Sequence, residues 1–98
     1  MKVVISSRAR DDLDQIAAWI ARDHPERAVS HNDELVDACI ALGDYPRVYP
    51  RWPHHSAREI RRVNHNDHVI FYEVRATDVH VLTIVHGARN LTPLTDAL

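Results

Sequence analysis

The sequence predicts an α+β domain with the element order β-α-α-β-β-β, and three observations carry that expectation. A short β-branched run opens the chain, two segments of helical apolar spacing follow with a proline between them, and three strand-like runs come after a proline-rich stretch. The simplest architecture for that order is a small, twisted antiparallel sheet with the N-terminal helix hairpin packed on one face. A chain of 98 residues hides roughly 60–70% of its unfolded surface, enough for one modest core, so residues 1–98 read as a single domain.

Val3-Val4-Ile5 is β-branched and bounded by serines, which suits a first strand. Ser6 or Ser7 then offers an N-cap, and Ala9, Leu13, Ile16, Ala17 and Ile20 recur at helical spacing. Asp11, Asp12 and Asp14 lie toward the N-terminal end of that helix, where its dipole favours anions. The helix should stop near Asp23, because His24 precedes Pro25 and a residue before proline is biased away from helical angles. The next helix starts in the same few residues. Asp23 and Glu26 have capping-box spacing, Pro25 belongs in a first turn, and Leu35, Val36, Cys39, Ile40 and Leu42 form an apolar face ending at Gly43. Helices joined so tightly form a hairpin.

Residues 44–57 contain Pro46, Pro50 and Pro53 with Tyr45, Tyr49 and Trp52, so the segment reads as a loop with aromatic anchors. Glu59 to Asn64, the turn-prone His65-Asn66-Asp67, the apolar Val69-Ile70-Phe71-Tyr72-Glu73-Val74 and then Val79 to Val85 give a three-stranded meander.

Apolar residues make up 45% of the chain and charged residues 27%, a globular balance, and no apolar run approaches the roughly 20 residues of a membrane span. The opening run meets Arg8 and Arg10 at once and lacks the pattern of a signal peptide, so a cytoplasmic location is expected. Cys39 is the only cysteine, which excludes an internal disulfide. Residues 1–46 carry five basic and nine acidic side chains, a balance of −4, and residues 47–98 carry seven and five, a balance of +2. Between residues 47 and 62, Arg47, Arg51, Arg58, Arg61 and Arg62 meet only Glu59, so that segment should sit in a positive field.

Eight histidines raise the question of a metal, with His54-His55 and His65-x-x-His68 as neighbouring imidazoles. No cysteine or carboxylate constellation accompanies them, so scattered surface histidines are the better reading. Cys39 falls on an apolar helix face and reads as a buried structural residue. The arginine-rich segment with its aromatic neighbours could bind phosphates or stack on bases, yet a net charge of −2 argues against a dedicated nucleic-acid binder. Trp19 lies beside the core stripe of the first helix, either as core periphery or as an exposed anchor for a partner.

Three stretches stand out in order along the chain: Ala9-Arg10-Asp11-Asp12-Leu13 with Ile16, then Arg61-Arg62-Val63 with Val69-Ile70-Phe71-Tyr72-Glu73-Val74, then Val85-His86-Gly87-Ala88-Arg89-Asn90. Together they resemble the RelE/ParE toxin superfamily over almost the whole chain. The resemblance implies two branches that share one fold, so the site must decide between them. RelE-like members cleave messenger RNA on the ribosome. They typically place a basic residue on the middle strand just before the apolar pair and tyrosine, and an acid–base side chain in the C-terminal tail. Here the first position is Val69, and the tail from Leu91 to Leu98 has no tyrosine, histidine or lysine. Only Arg89 and Arg62 remain of that set.

The resemblance therefore implies the ParE-like branch, the toxin of a type II toxin–antitoxin system. Such a toxin inhibits DNA gyrase by binding, without catalysis, and a cognate ParD-like antitoxin neutralises it in a hetero-oligomer. The candidates for target binding are Arg58, Arg61, Arg62, His86 and Arg89. Those for antitoxin binding are Trp19, Ile20, Arg61, Arg62 and Arg89. No catalytic residue, cofactor or metal is expected. The alternatives are a RelE-like ribonuclease that draws its acid–base groups from His68, His86 or His54-His55, and an antitoxin-binding module that has lost activity.

Overall fold

A computed structural model describes residues 1–53 and 57–87. The elements are β1 (Lys2–Ile5), α1 (Ser7–Ala21), α2 (Pro25–Ala41), β2 (Ile60–His65), β3 (His68–Val74) and β4 (Asp78–His86). Ser6 joins β1 to α1. Its side-chain oxygen accepts the Ala9 N–H at 3.1 Å as an N-cap, its hydroxyl donates to the Leu82 carbonyl at 3.0 Å, and its own N–H donates to Val81 at 3.1 Å. One residue thus starts the helix and fixes it beside β4.

The second helix begins differently from the sequence expectation. His24 is its N-cap, with no side-chain cap bond, and Pro25 occupies the first turn, so no capping box from Asp23 forms. The His24 N–H instead donates to Ile20 at 2.8 Å, closing the end of α1. Buried residues of α2 fall at Ala28, His31, Leu35 and Cys39, the stripe that packs inward. Ile40, expected on the apolar face, points outward and is 57% exposed. At the helix end, a Cβ on Gly43 would lie only 2.3 Å from the Met1 carbonyl oxygen, so no side chain fits where the chain start crosses the helix. The N-terminal amine donates to the Gly43 carbonyl at 2.7 Å in the same crossing.

The sheet order is β1-β4-β3-β2. β2, β3 and β4 form the antiparallel meander, but β1 pairs with β4 in parallel, Lys2 opposite Asp78 through Ile5 opposite Val81. The sheet is therefore mixed, not wholly antiparallel, because the helix hairpin carries the chain back to the end where it began and so lets β4 run alongside β1. Leu82 is an extra residue at a bulge between the Phe71–Thr83 and Tyr72–Val81 pairs.

Both faces of the sheet are covered. Ala9, Leu13, Leu35, Cys39 and Leu42 of the helical layer pack on Ile70, Tyr72, Val79, Val81 and Ile84. Full burial of each such aliphatic side chain contributes about 1.5–3 kcal/mol, so this layer dominates stability. On the opposite face the loop after α2 delivers Trp52 to a smaller cluster with Ile60, Val69, Phe71 and Val85. The Tyr72 hydroxyl anchors that loop by donating to the Pro46 carbonyl at 2.8 Å, and burial pushes its own pKa up to about 12. Among the described residues, no helix is long and apolar enough to cross a membrane.

Candidate functional site

The polar side chains collect at the two ends of the sheet. At the end where β2 begins and β3 finishes, Glu73 accepts two hydrogen bonds from Arg58, at 2.7 and 3.1 Å, and a third from Arg75 at 2.8 Å. The paired Arg58 guanidinium, helped by Arg75, outweighs burial and holds the Glu73 carboxyl down to about 2. Burial opposes ionisation of Glu59, but hydrogen bonds from Arg61 and Arg47 prevail and keep it below the usual carboxylate range. Arg61 also donates to the Tyr49 carbonyl at 2.5 Å, which ties the loop to β2. Arg58 and Arg61, both read from the sequence as target-binding candidates, are thus embedded in ion pairs. Glu73 supplies the counter-charge that counting along residues 47–62 alone could not include.

At the opposite end, where His65 pairs with His68 and His68 with His86, Arg62 and His86 come together. The β2–β3 turn has two residues, Asn66 and Asp67, with Asn66 at φ 51°, a left-handed conformation that asparagine tolerates. Gly87 donates its N–H to the Asp67 carbonyl at 2.7 Å, and a Cβ there would lie 3.3 Å from that same oxygen. The glycine therefore serves close approach to the turn and not a left-handed backbone, since its φ is not positive. The result is a polar groove of about 300 Å³ whose lining includes Arg62, Asn64, Asn66, Asp67, His68 and His86. The Arg62 guanidinium lies over the Trp52 ring at 5.3 Å, and Trp52 meets Phe71 edge-on at 5.2 Å. A cation stacked on a nearly buried ring is held in place, so the groove offers an oriented positive charge beside amide groups and the Asp67 carboxylate.

A wider groove of about 690 Å³ adjoins it, with Ile16, Trp19 and Ile20 of α1 on one side and His31, His68 and His86 on the other. Trp19 is 70% exposed with the Arg22 guanidinium 5.0 Å from its ring, which resolves the choice left open for this residue: it is a surface side chain. Ile20 is half-buried beside it. Arg61 stands apart from this groove, among the loop residues at the β2 edge. Arg89 and the His54-His55 pair lie outside the described residues.

Sequence reasoning missed one member of the site. His31 is 5% exposed and packs with His65, His68 and, through His68, His86, with successive ring centroids 6.1, 5.3 and 5.6 Å apart. Its spacing from Ala28 and Leu35 on the inward stripe was the signal that could have found it. Burial, with Arg27 nearby, lowers the pKa of His31, and burial with the neighbouring His31 and His86 lowers that of His68. Among the described residues, no three His, Cys, Asp or Glu side chains converge in a group that could hold a metal ion. A further apolar groove of about 250 Å³ runs between the end of α2 and β2, bordered by Leu42, Tyr45, Val48, Tyr49 and Val63.

The arrangement is that of a small α+β domain with paired grooves at the strand ends. The sequence model of the family described as "ParE toxin of type II toxin-antitoxin system, parDE" matches residues 3–91. The chain belongs to that ParE toxin family. A solved structure titled "Chromosomal ParDE TA system from P. aeruginosa" contains a chain with the same fold, at a TM-score of 0.76 and 18% identity over 88% of this chain and 95% of that one. No curated protein matches the sequence.

Proposed function

We propose that this ParE-family toxin arrests growth by binding DNA gyrase, without cleaving a substrate, and that a ParD-like antitoxin neutralises it by occupying the grooves at the strand ends. The observation that carries the non-catalytic part is Val69. The position where the ribonuclease branch typically carries a basic residue holds a valine only 4% exposed, packed into the Trp52 and Phe71 cluster. A cation for the phosphorane could not be accommodated there without opening that cluster. The fold shared with a chain of the ParDE system supports an antitoxin partner.

One observation favours a second reading. Arg62, His68 and His86 line one groove, and a histidine kept neutral by burial beside an arginine is suited to proton transfer next to a phosphate. The deciding experiment gives the purified toxin separately to a gyrase supercoiling assay and to translating ribosomes with a messenger RNA. Loss of supercoiling with intact messenger RNA is the expected result. Codon-specific cleavage that disappears in His68→Gln or Arg62→Ala would establish the ribonuclease instead. Antitoxin binding with neither effect would mark an inactive binding module.

A further inference from the structure

We propose that His31, His65, His68 and His86 form a proton-operated latch, which while neutral closes the N-terminal half of α2 onto the β2–β3 turn and the end of β4, and which opens on acidification. The geometry carries this independently of the gyrase reading. Leu35, Cys39 and Leu42 fix the C-terminal half of α2 to the sheet core, whereas nearer its start the inward residue that meets rings of the sheet is His31. Four imidazoles are therefore packed in succession across four elements, α2, β2, β3 and β4.

The Arg27 contact of His31 suits the neutral ring. Its Nδ1 faces Arg27 Nη2 at 3.4 Å and Glu34 Oε2 at 3.7 Å; because a guanidinium only donates, the Arg27 contact is a hydrogen bond only when Nδ1 is the unprotonated acceptor. The proton then sits on Nε2, which is buried without a partner, as is Nδ1 of His68. Nε2 of His65 is also buried, with Glu34 at 3.8 Å, beyond hydrogen-bonding reach. A second proton on His31 would turn an N–H against the Arg27 cation, relieved only by Glu34 at 3.7 Å, and place a charge against the rings of His65 and His68, where Nε2 has no hydrogen-bond partner among the described residues.

Charged groups on every neighbouring element bear on the outcome. Arg27 of α2 opposes protonation, as do His65 of β2 and His86 of β4 once either is charged, while Glu34 of α2 and Asp67 of the turn favour it. Glu34 is already engaged by Arg27 at 3.2 Å and its side chain is 44% exposed, so its pull is shared and screened. The side chains of α1 that line the groove, Ile16, Trp19 and Ile20, bring no charge. Burial dominates, and it holds His31 and His68 below the ordinary value of 6.5. The sign follows. Above about pH 6.5 both folded and unfolded chains keep these rings neutral and the latch is fully stabilising; as pH falls below it the unfolded or opened chain takes protons that the closed one refuses. Between the closed and the opened values of each ring, each such proton shifts the opening equilibrium by up to about tenfold per pH unit.

The test uses the full chain. Ring proton titration by NMR should place His31 and His68 below 6.5, and melting temperature should fall from about pH 7 to about pH 5. Amides near Arg27–His31 and at Asn66–Asp67 should lose exchange protection before those of β3 and β4. His68→Gln and His31→Gln should flatten the pH dependence, whereas His24→Gln, which makes no ring contact with the cluster among the described residues, should keep it. If His31→Gln does not fold, His68→Gln and the wild-type titration decide. The latch is overturned if either ring titrates at or above 6.5, if the glutamine variants keep the wild-type slope, or if protection is lost uniformly across the sheet.

Discussion

Glu73 sits on the central meander with its side chain only 11% exposed, and three guanidinium hydrogen bonds make that burial tolerable. Glu73→Gln removes the charge and leaves two arginines short of an acceptor. It should cost on the order of 1–3 kcal/mol near neutral pH, toward the lower figure because Arg58 and Arg75 are 33% and 46% exposed. The carboxyl is depressed to about 2 from an ordinary 4.5. Its contribution is thus present above about pH 4.5 and is lost as pH falls toward 2, so the gap in melting temperature between wild type and variant should close over that window. Arg58, offered by its place in the sequence as a contact for a partner, is for this reason better placed to hold the sheet end. Cys39 illustrates burial without a partner: it is 0% exposed and its thiol is pushed up to about 12. A thiol reagent near pH 8 should label the unfolded chain promptly and the native chain at least about a hundredfold more slowly; comparable rates would mean that α2 opens readily from the core.

The elements were legible where local chemistry decides them and obscure where distant pairing does. β1, the Ser6 cap, the two helices and the meander all follow from short-range signals, and each is present. The parallel pairing of Lys2–Ile5 with Asp78–Val81 joins residues some 76 positions apart, and a β-branched run gives no hint of which edge it will take. The move of Trp52 to the second face was hidden for a similar reason: a proline-rich loop advertises that it is a loop, not which side of the sheet it will cover. His31 was readable from its stripe, but the meeting of four histidines required the strand register. A contact of the same long-range kind joins α1 to β4. Asp12 accepts the Thr83 hydroxyl at 2.6 Å and the Ile84 N–H at 2.9 Å, the latter lying beyond the last residue that β1 can pair. Asp12→Ala should destabilise the fold by about 1–3 kcal/mol through two donors left without an acceptor. In a double-mutant cycle with Thr83→Val, a coupling below about 0.5 kcal/mol would show that the two side chains act independently, and an Asp12→Ala variant as stable as wild type would show that this anchor is unimportant.

At the scale of the whole molecule, the sheet has a braced end and an open one. The braced end carries the Arg58–Glu73–Arg75 and Arg47–Glu59–Arg61 pairs. The open end carries the two grooves with Arg62, His68, His86 and the wall of α1 bearing Trp19. This division separates residues that the sequence grouped together, and it makes opposite predictions for Trp19 and Arg61 as antitoxin contacts. Trp19 is 70% exposed, so Trp19→Ala should leave melting temperature nearly unchanged, because little packing is lost. If the antitoxin docks in the wider groove, an aromatic anchor of this kind should weaken its binding by roughly 10- to 100-fold when truncated. Arg61→Glu should act the other way round. Its guanidinium joins Glu59 and the Tyr49 carbonyl, so reversal sets two carboxylates together and frees the loop, lowering stability first and antitoxin affinity only as far as that loop is displaced. Calorimetric titration of each variant with the antitoxin's C-terminal segment, beside its thermal melt, separates the two effects. Full affinity in Trp19→Ala together with a large loss in a stably folded Arg61→Glu would move the antitoxin to the β2 edge, onto the apolar groove bordered by Tyr45, Val48 and Val63, and away from the strand-end grooves.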